Sequence, residues 1–266
     1  MTSTITLTAG LPNGPAQQTL RMLQGKGITV EDYAAIGTNE VLCADVAAMI
    51  LKHRLFTQPE EQIQHLLRIN EQVWKDASIT EVAIRALGDP PECPISDEGH
   101  LWCVTLVSET GNALATFTRN WTACVHVHGV DKTWKWDGLI LTPQGVRPRQ
   151  NAKPRPTGLR WTVSELGRAY KSQKVKKVRP DLDRQSTMGM GQELPLIGAL
   201  HPRWAVAMNG DNIPFVDAPD LEVAPSARGE FSDAPYLSFD RGDGAVNLYA
   251  GVVDHGNPRF GSGSLR

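Results

Sequence analysis

The sequence predicts an α+β fold, with a helical N-terminal part at residues 1–95 followed by a mixed, β-rich part at residues 96–266. Three observations lead to this prediction. Apolar residues recur at helical spacing in the first part, and residues 89–99 (DPPECPISDEG) are rich in turn-forming residues. After them the chain forms short runs rich in β-branched and aromatic residues. Helical segments followed by strands are typical of the α+β class.

Three helices are predicted in the first part. Residues 38–55 (TNEVLCADVAAMILKHRL) place apolar side chains on one stripe. Residues 59–74 (PEEQIQHLLRINEQVW) begin with a proline and two acidic residues, which favour the first turn of a helix. Residues 78–88 (SITEVAIRALG) begin with a capping-box pattern, Ser78 to Glu81, and end at a glycine before two prolines.

The second part is predicted to be rich in strands. Residues 100–119 (HLWCVTLVSETGNALATFTR) are interpreted as a β-hairpin around Ser-Glu-Thr-Gly-Asn. A strand at residues 124–130 (CVHVHGV) is assumed only for the metal-site alternative given below. Residues 133–142 (TWKWDGLILT) and 158–166 (GLRWTVSEL) are also strand candidates. The intervening PQGVRPRQNAKPRPTG is predicted to be a loop because it is rich in proline and glycine.

Antiparallel strands are predicted at the end of the chain. They follow a short helix in residues 192–210, where Pro202 marks a break or a new first turn. DRGDG forms a tight turn between the first two strands. We expect these strands to be the scaffold of one surface. The three predicted strands are PYLSF (235–239), AVNLYAGV (245–252) and RFGSGSL (259–265).

Composition excludes several classes of protein. The chain has 266 residues and a formal net charge of −2. It contains no apolar run of about 18 residues and no leader pattern, so we expect a cytoplasmic protein without a membrane partner. The four cysteines are scattered and contain no Cys-x-x-Cys pair, which favours buried thiols over a disulfide framework. No cofactor is expected, because no glycine-rich stretch has the spacing of a nucleotide loop.

His126 and His128 are the candidate metal ligands. On a strand, both imidazoles would leave the same face, and two neutral imidazoles can share a zinc or iron ion. His100, His255 or a carboxylate would have to complete the site. A metal-dependent enzyme therefore stays open as an alternative, although two solvent-facing polar side chains are the simpler interpretation.

A basic segment offers a second alternative. Residues 147–184 contain twelve lysine or arginine residues and three acidic residues. Such a segment can bind nucleic acid backbones, and Trp161 and Tyr170 lie near enough in sequence to stack on bases. A solvated basic surface in a mildly acidic chain is the competing interpretation.

The composition of the last residues is unusual. Lys, Gln, Glu, Met and Trp together account for 48 of the 266 residues, yet none occurs in residues 231–266. Tyrosine and phenylalanine provide contact area at low entropic cost, and small polar residues provide adaptable hydrogen bonds. We therefore predict a non-enzymatic binding protein whose residues 96–266 bind the ligand. The predicted contact residues are Tyr236, Phe239, Asp240, Asn247, Tyr249, Asp254, His255 and Asn257.

The ending PYLSFDRGDGAVNLYAG…RFGSGSLR, preceded by LPLIGALHPRWAVAMNGDNIPFV, resembles a group of bacterial proteins with a β-rich, variable C-terminus. Its layout is similar to that of the variable proteins of diversity-generating retroelements. In those proteins a C-type-lectin-like fold displays randomised residues on a terminal β-hairpin. The resemblance implies that adenines are randomised in codons that end in C. Codons of this kind never encode Lys, Gln, Glu, Met or Trp, the five residue types that do not occur in residues 231–266. It also implies a protein or another macromolecule as the ligand.

Overall fold

The computed structural model describes residues 55–94, 96, 99–225 and 230–266, together with Thr29, Asp32, Ala35, Thr38 and Asn39. The chain divides into two compact units, Met1–Arg54 and Leu55–Arg266. In the first unit, the backbone N–H of Thr29 donates to the Asp32 carboxylate at 2.8 Å, and the backbone N–H of Asp32 donates to the Thr29 hydroxyl at 3.1 Å. This reciprocal pair is a capping box. The apolar stripe predicted within residues 38–55 lies outside the described residues.

The second unit combines α-helices with antiparallel and mixed sheets, so the predicted α+β class is confirmed. None of its described helices is long and apolar enough to cross a bilayer. The helices are α1 (Pro59–Ile69), α2 (Glu81–Arg85), α3 (Ala113–His128), α4 (Val175–Arg184), α5 (Leu194–Leu200) and α6 (Pro202–Ala207). The strands are β1 (Trp102–Glu109), β2 (Thr133–Lys135), β3 (Val146–Pro148), β4 (Gly158–Glu165), β5 (Met188–Gly189), β6 (Phe215–Asp217), β7 (Leu221–Val223), β8 (Asp233–Asp240), β9 (Ala245–Val252), β10 (Phe260–Ser262) and β11 (Ser264–Leu265).

The helices predicted between residues 59 and 88 are present, with one different cap. α1 begins at its proline and continues into a π-helical turn, Asn70–Trp74. α2 is capped by Thr80, whose hydroxyl accepts the N–H of Ala83 at 3.1 Å. The predicted cap at Ser78 is wrong because that hydroxyl donates instead to the Asp76 carboxylate, at 2.6 Å.

The hairpin predicted within residues 100–119 is wrong in its second half. β1 is a strand, but the chain then forms the 16-residue helix α3. Asn112 caps this helix, since its side-chain oxygen accepts the N–H of Ala115 at 2.9 Å. The buried residues Phe117, Trp121 and Cys124 recur at helical spacing, and burial of this face overrides the strand preference of the threonines and valines.

Two smaller predictions also need correction. The strand predicted at residues 133–142 is limited to β2, Thr133–Lys135. The predicted loop between residues 143 and 158 contains the short strand β3. By contrast, β4 covers most of the strand predicted at residues 158–166. Pro202 is the first residue of α6, in agreement with the prediction that it could begin a new first turn.

Two sheets enclose the core. The first sheet has the order β1-β4-β11-β5, with every pair antiparallel. In the second sheet, β8 is the central strand. Along one edge β8 pairs with β9, and β9 pairs with β2. Along its other edge β8 pairs with both β6 and β7; β10 then pairs with β6, and β3 pairs with β7. β2 and β10 are parallel to their partners, so this sheet is mixed.

Helix α5 lies at the centre of the core. All seven of its residues are buried, and it contacts β1 of the first sheet and β8 of the second. A Cβ atom at Gly198 would lie 2.8 Å from the Leu237 side chain of β8. The glycine therefore permits the close approach of helix and strand.

Residues 55–94 pack on the same core as the strands. Ile63 and Leu66 of α1 belong to one buried cluster with Leu106 of β1 and Leu237 of β8. The predicted domain division at residues 95 and 96 stays a prediction.

The predicted hairpin at the end of the chain is present, but the last strand differs. β8 and β9 pair antiparallel from Asp233 opposite Val252 to Asp240 opposite Ala245. The segment predicted as one final strand forms two strands, and only Gly263 separates them. β10 pairs parallel with β6 in the second sheet, whereas β11 pairs with β4 and β5 in the first.

Candidate binding face on the second sheet

The outer surface of the β8–β9 hairpin carries the polar and aromatic side chains. Leu237 lies opposite Leu248, and both are fully buried against the core. Since side chains alternate along a strand, Tyr236, Asn247 and Tyr249 lie on the other side of the sheet. Tyr236 and Tyr249 are half-buried there. The two strands thus fix the position of this second side, while their first side packs on the core.

A row of aromatic rings crosses this side of the sheet. The row consists of Trp134, Tyr249, Tyr236, Phe260 and Phe215, and we call it the aromatic face. Successive ring centroids are 4.5, 5.6, 4.6 and 5.3 Å apart. These distances lie in the range for favourable aromatic pairs. Trp134 at one end is 41% exposed, whereas Phe215 at the other end is buried in the core cluster, so the row opens to solvent at Trp134.

Two open cavities adjoin the aromatic face and share Tyr236 as a wall. One, here the Asp217 cavity, has a volume of about 420 Å³. The other, here the Asn247 cavity, has a volume of about 480 Å³. Both volumes are in the range of small-ligand sites.

Each predicted contact residue lines one of these two cavities. Phe239 shares the strand side of Leu237, so its ring lies on the other side of the sheet from the aromatic face. Tyr236 lines both cavities; Asp254, His255 and Asn257 line the Asp217 cavity; and Phe239, Asp240, Asn247 and Tyr249 line the Asn247 cavity.

Asp217 is the functional candidate that the sequence analysis missed. It is 7% exposed, lies directly opposite Tyr236 and lines the cavity named after it. Burial raises the pKa of its carboxyl group to about 8, and the positive charge of Arg179 opposes this shift. Burial and the charge of Asp217 both contribute to raising the pKa of Tyr236, to about 12.

Two further buried polar groups on this side have no partner among the described residues. They are the side-chain oxygen of Asn247 and the hydroxyl of Ser262. Ser262 lies beside Asp217 in the parallel pairing of β10 with β6. Unsatisfied buried polar groups are costly, and a bound ligand can satisfy them.

Asp254 lies at the rim of the Asp217 cavity and is exposed. Lys174 and Lys176 approach its carboxylate at 3.2 and 3.4 Å. The hydrogen bond from Lys174 is the main reason that the pKa of Asp254 is lowered. This rim is therefore a set of exposed ion pairs around a buried carboxyl group.

Three aromatic residues of the face were also not predicted as contacts: Trp134, Phe215 and Phe260. Phe215 and Asp217 lie on one side of the three-residue strand β6 and Val216 on the other, and all three residues are buried. This alternation is visible in the sequence NIPFVDAPD. Which of the alternating residues faces which side of the sheet, however, follows only from the register of β6 with β8. The unusual composition indicated residues 231–266 as the binding surface, and β6 lies outside this segment.

His126 and His128 do not share a face, because residues 124–128 are helical and not a strand. Residues two apart on an α-helix point to different sides. His126 Nε2 lies 2.7 Å from Gln72 Oε1, and His128 Nε2 lies 3.1 Å from the carbonyl oxygen of Gly198. Among the described residues, no group of three His, Cys, Asp or Glu side chains could hold a metal ion.

Several arginines of the basic segment are internal. Arg155 donates to Glu193 at 2.8 Å and to Asp220 at 3.0 Å, and Arg149 donates to Asp220 at 2.7 Å. These side chains are at most 6% exposed. Burial and the nearby charge of Glu193 raise the pKa of Glu109 at the edge of this network. These arginines therefore hold the fold together and do not face a nucleic acid backbone.

No protein-family model, curated protein or solved structure matches this chain significantly.

Proposed function

We propose that this protein is a non-enzymatic binding protein that holds a segment of another protein on the aromatic face. One observation supports the proposal most: five aromatic rings form a continuous row on one side of the sheet, open to solvent at Trp134 and flanked by two cavities that share Tyr236. Large aromatic side chains dominate the energetics of protein recognition. Cavities beside such a row accept side chains of the bound partner.

The supporting strands make the surface suitable for recognition. Backbone pairing fixes β8 to β9 over eight residue pairs. Side chains at Tyr236, Asp240, Asn247 and Tyr249 can change without altering the buried side of the hairpin. The resemblance to variable proteins of diversity-generating retroelements adds the proposal that this outer side is diversified and that the domain is C-type-lectin-like.

The binding proposal is tested by selection from a random peptide display library. Peptides selected on the wild-type protein should lose at least about tenfold in affinity for the Tyr249→Ala and Trp134→Ala variants, since aromatic anchors contribute about 2 kcal/mol or more. Tyr170→Ala is the matched control, because Tyr170 is a partly exposed tyrosine outside the aromatic face. Selected peptides that bind all three variants equally would contradict the proposal.

Diversification has its own test at the level of DNA. Alleles of the gene should differ mainly at adenines of codons for outward side chains of residues 231–266, beside a near-copy of that segment and a reverse transcriptase gene. Substitutions spread evenly over the chain would reject diversification and leave the binding proposal intact.

A further inference from the structure

The Asp217 cavity contains a largely buried carboxyl group that accepts no hydrogen bond from the residues the structure describes. Among the described residues, no side chain or backbone group donates to the Asp217 carboxyl group, although the residue is only 7% exposed. Arg179, the basic residue that acts on it electrostatically, donates instead to the carbonyl oxygens of Pro219 and Leu221. An isolated buried carboxyl group is unfavourable, so the fold leaves a group available to a ligand.

Two aromatic rings form walls of the same cavity. The rings of Tyr236 and Phe260 are perpendicular, at 89°, with centroids 4.6 Å apart. Tyr249 stacks behind Tyr236 at an angle of 7° and supports that ring. These two rings are in edge-to-face contact and line one part of the cavity, where a cation beside them is attracted to an aromatic ring face.

The charges around the cavity favour a cation. Its lining includes the carboxyl groups of Asp217 and Asp254, and no lysine or arginine is part of the described lining. Lys174 and Lys176 lie outside the lining and pair with Asp254. The Asp254 charge is thus locally balanced, whereas Asp217 forms no ion pair among the described residues and is influenced only by the charge of Arg179.

We propose that the Asp217 cavity binds an organic cation, an alkylammonium group placed against the Tyr236 and Phe260 rings in the cavity wall, with the Asp217 carboxylate as its counter-ion. The cavity volume of about 420 Å³ is sufficient for a lysine-sized side chain. This inference rests on the proposed function, because the cavity opens on the aromatic face. It specifies the chemical group that the bound partner presents there.

Binding of the cation requires that Asp217 loses a proton. Burial raises the pKa of Asp217 to about 8, so near neutral pH the empty cavity holds mainly the protonated form. Arg179, Tyr236, Asp254 and His255 are the other titratable groups around it. A cation favours the ionised carboxylate, so one proton is released on binding and affinity rises with pH.

The experiment uses choline chloride and its neutral analogue 3,3-dimethylbutan-1-ol as probes, titrated calorimetrically into the full chain. Choline should bind in the millimolar range or tighter at pH 9, and at least about tenfold more weakly at pH 6.5, because the competent carboxylate is then a minor form. The neutral analogue should bind at least about tenfold more weakly than choline at pH 9.

Asp217→Asn should lower choline affinity at pH 9 at least about tenfold, since it removes the counter-ion and keeps the shape. Asp181→Asn is the matched control and should change affinity less than about threefold, because this carboxylate lies outside the cavity lining and pairs with Arg184. Phe260→Leu should weaken binding through loss of one ring. Equal affinity for choline and the neutral analogue, or unchanged affinity in Asp217→Asn, would overturn the inference.

The cation-site inference and the proposed binding function can be rejected independently of each other. Library peptides that need Tyr249 but bind equally to wild type and Asp217→Asn would reject the cation site and keep the binding face. Choline binding that depends on Asp217, without any peptide that depends on Tyr249, would keep the cation site and reject peptide recognition on the aromatic face.

Discussion

Tyr236 and Tyr249 are paired across β8 and β9, with their rings stacked at 5.6 Å and 7° from parallel. Tyr249 also contacts Trp134, and Tyr236 contacts Phe260. The pair therefore joins the two halves of the aromatic face, and one of its members is the common wall of both cavities.

Replacing both tyrosines should reveal their coupling. In a double-mutant cycle with Tyr236→Leu and Tyr249→Leu, we expect an interaction free energy of about 0.5–1.5 kcal/mol in urea unfolding, as measured for other aromatic pairs. A second cycle with Tyr236→Leu and Tyr170→Leu should be additive within about 0.5 kcal/mol. Additivity of the stacked pair would show that the rings do not stabilise each other.

Asp217→Asn should stabilise the protein increasingly as pH rises. Folding raises the pKa of Asp217 from 3.8 to about 8, so between these values the folded state holds a proton that the unfolded state has lost. The free energy of unfolding of the wild type therefore falls as pH rises through this window, by at most about 1.4 kcal/mol per pH unit.

The measurement is urea unfolding of wild type and Asp217→Asn at pH 5, 6.5 and 8. The stability difference in favour of the variant should grow with each step. Asp254→Asn is the control, since the lowered pKa of this exposed group places its titration below the measured range. A constant difference between wild type and Asp217→Asn would refute a perturbed Asp217.

His201 should make the fold sensitive to acid. Its Nδ1 atom accepts the backbone N–H of Thr57 at 3.1 Å, and its Nε2 atom lies 3.0 Å from the Thr105 hydroxyl. Burial lowers the pKa of His201 from 6.5 to about 3. Between these values the unfolded state binds a proton that the folded state excludes, so stability is lost as pH falls below 6.5.

His201→Gln removes this titration. We expect the variant to be less stable than wild type at pH 8 by about 1–3 kcal/mol, because a buried hydrogen bond is lost. Its unfolding free energy should decline less steeply between pH 6.5 and pH 4 than that of wild type. Parallel declines in thermal or urea unfolding would assign the acid sensitivity to other groups.

Arg155→Met should be among the most damaging single changes to the internal ion network. It leaves Glu193, which is fully buried, without its closest cation, and breaking a buried pair costs about 3–5 kcal/mol. Arg184→Met is the matched control, because its side chain is 76% exposed and pairs only near the surface with Asp181. We expect less than about 1 kcal/mol for the control, measured by urea unfolding.

Local sequence signals predicted the hairpin that carries the candidate site. The alternation of apolar and polar residues in AVNLYAGV and the turn sequence DRGDG are both signals between residues close in sequence. Both agree with the observed pairing of β8 with β9. α3 was missed because its threonines and valines favour strands, while the cap at Asn112 is a weaker signal. Asp217 could not be placed from sequence, since its side of the sheet depends on pairing with residues about twenty positions away.

The separation of β10 from β11 by a single residue has a consequence for synthesis on the ribosome. β11 is an interior strand of the first sheet, lying between β4 and β5, and β10 covers β6 in the second. The second sheet therefore cannot be completed until residue 262 has left the exit tunnel, and the first sheet cannot be completed until residue 265 has done so. A nascent chain that is stalled before both points exposes unpaired edges of β4 and β6, which are the surfaces that chaperones must protect from aggregation.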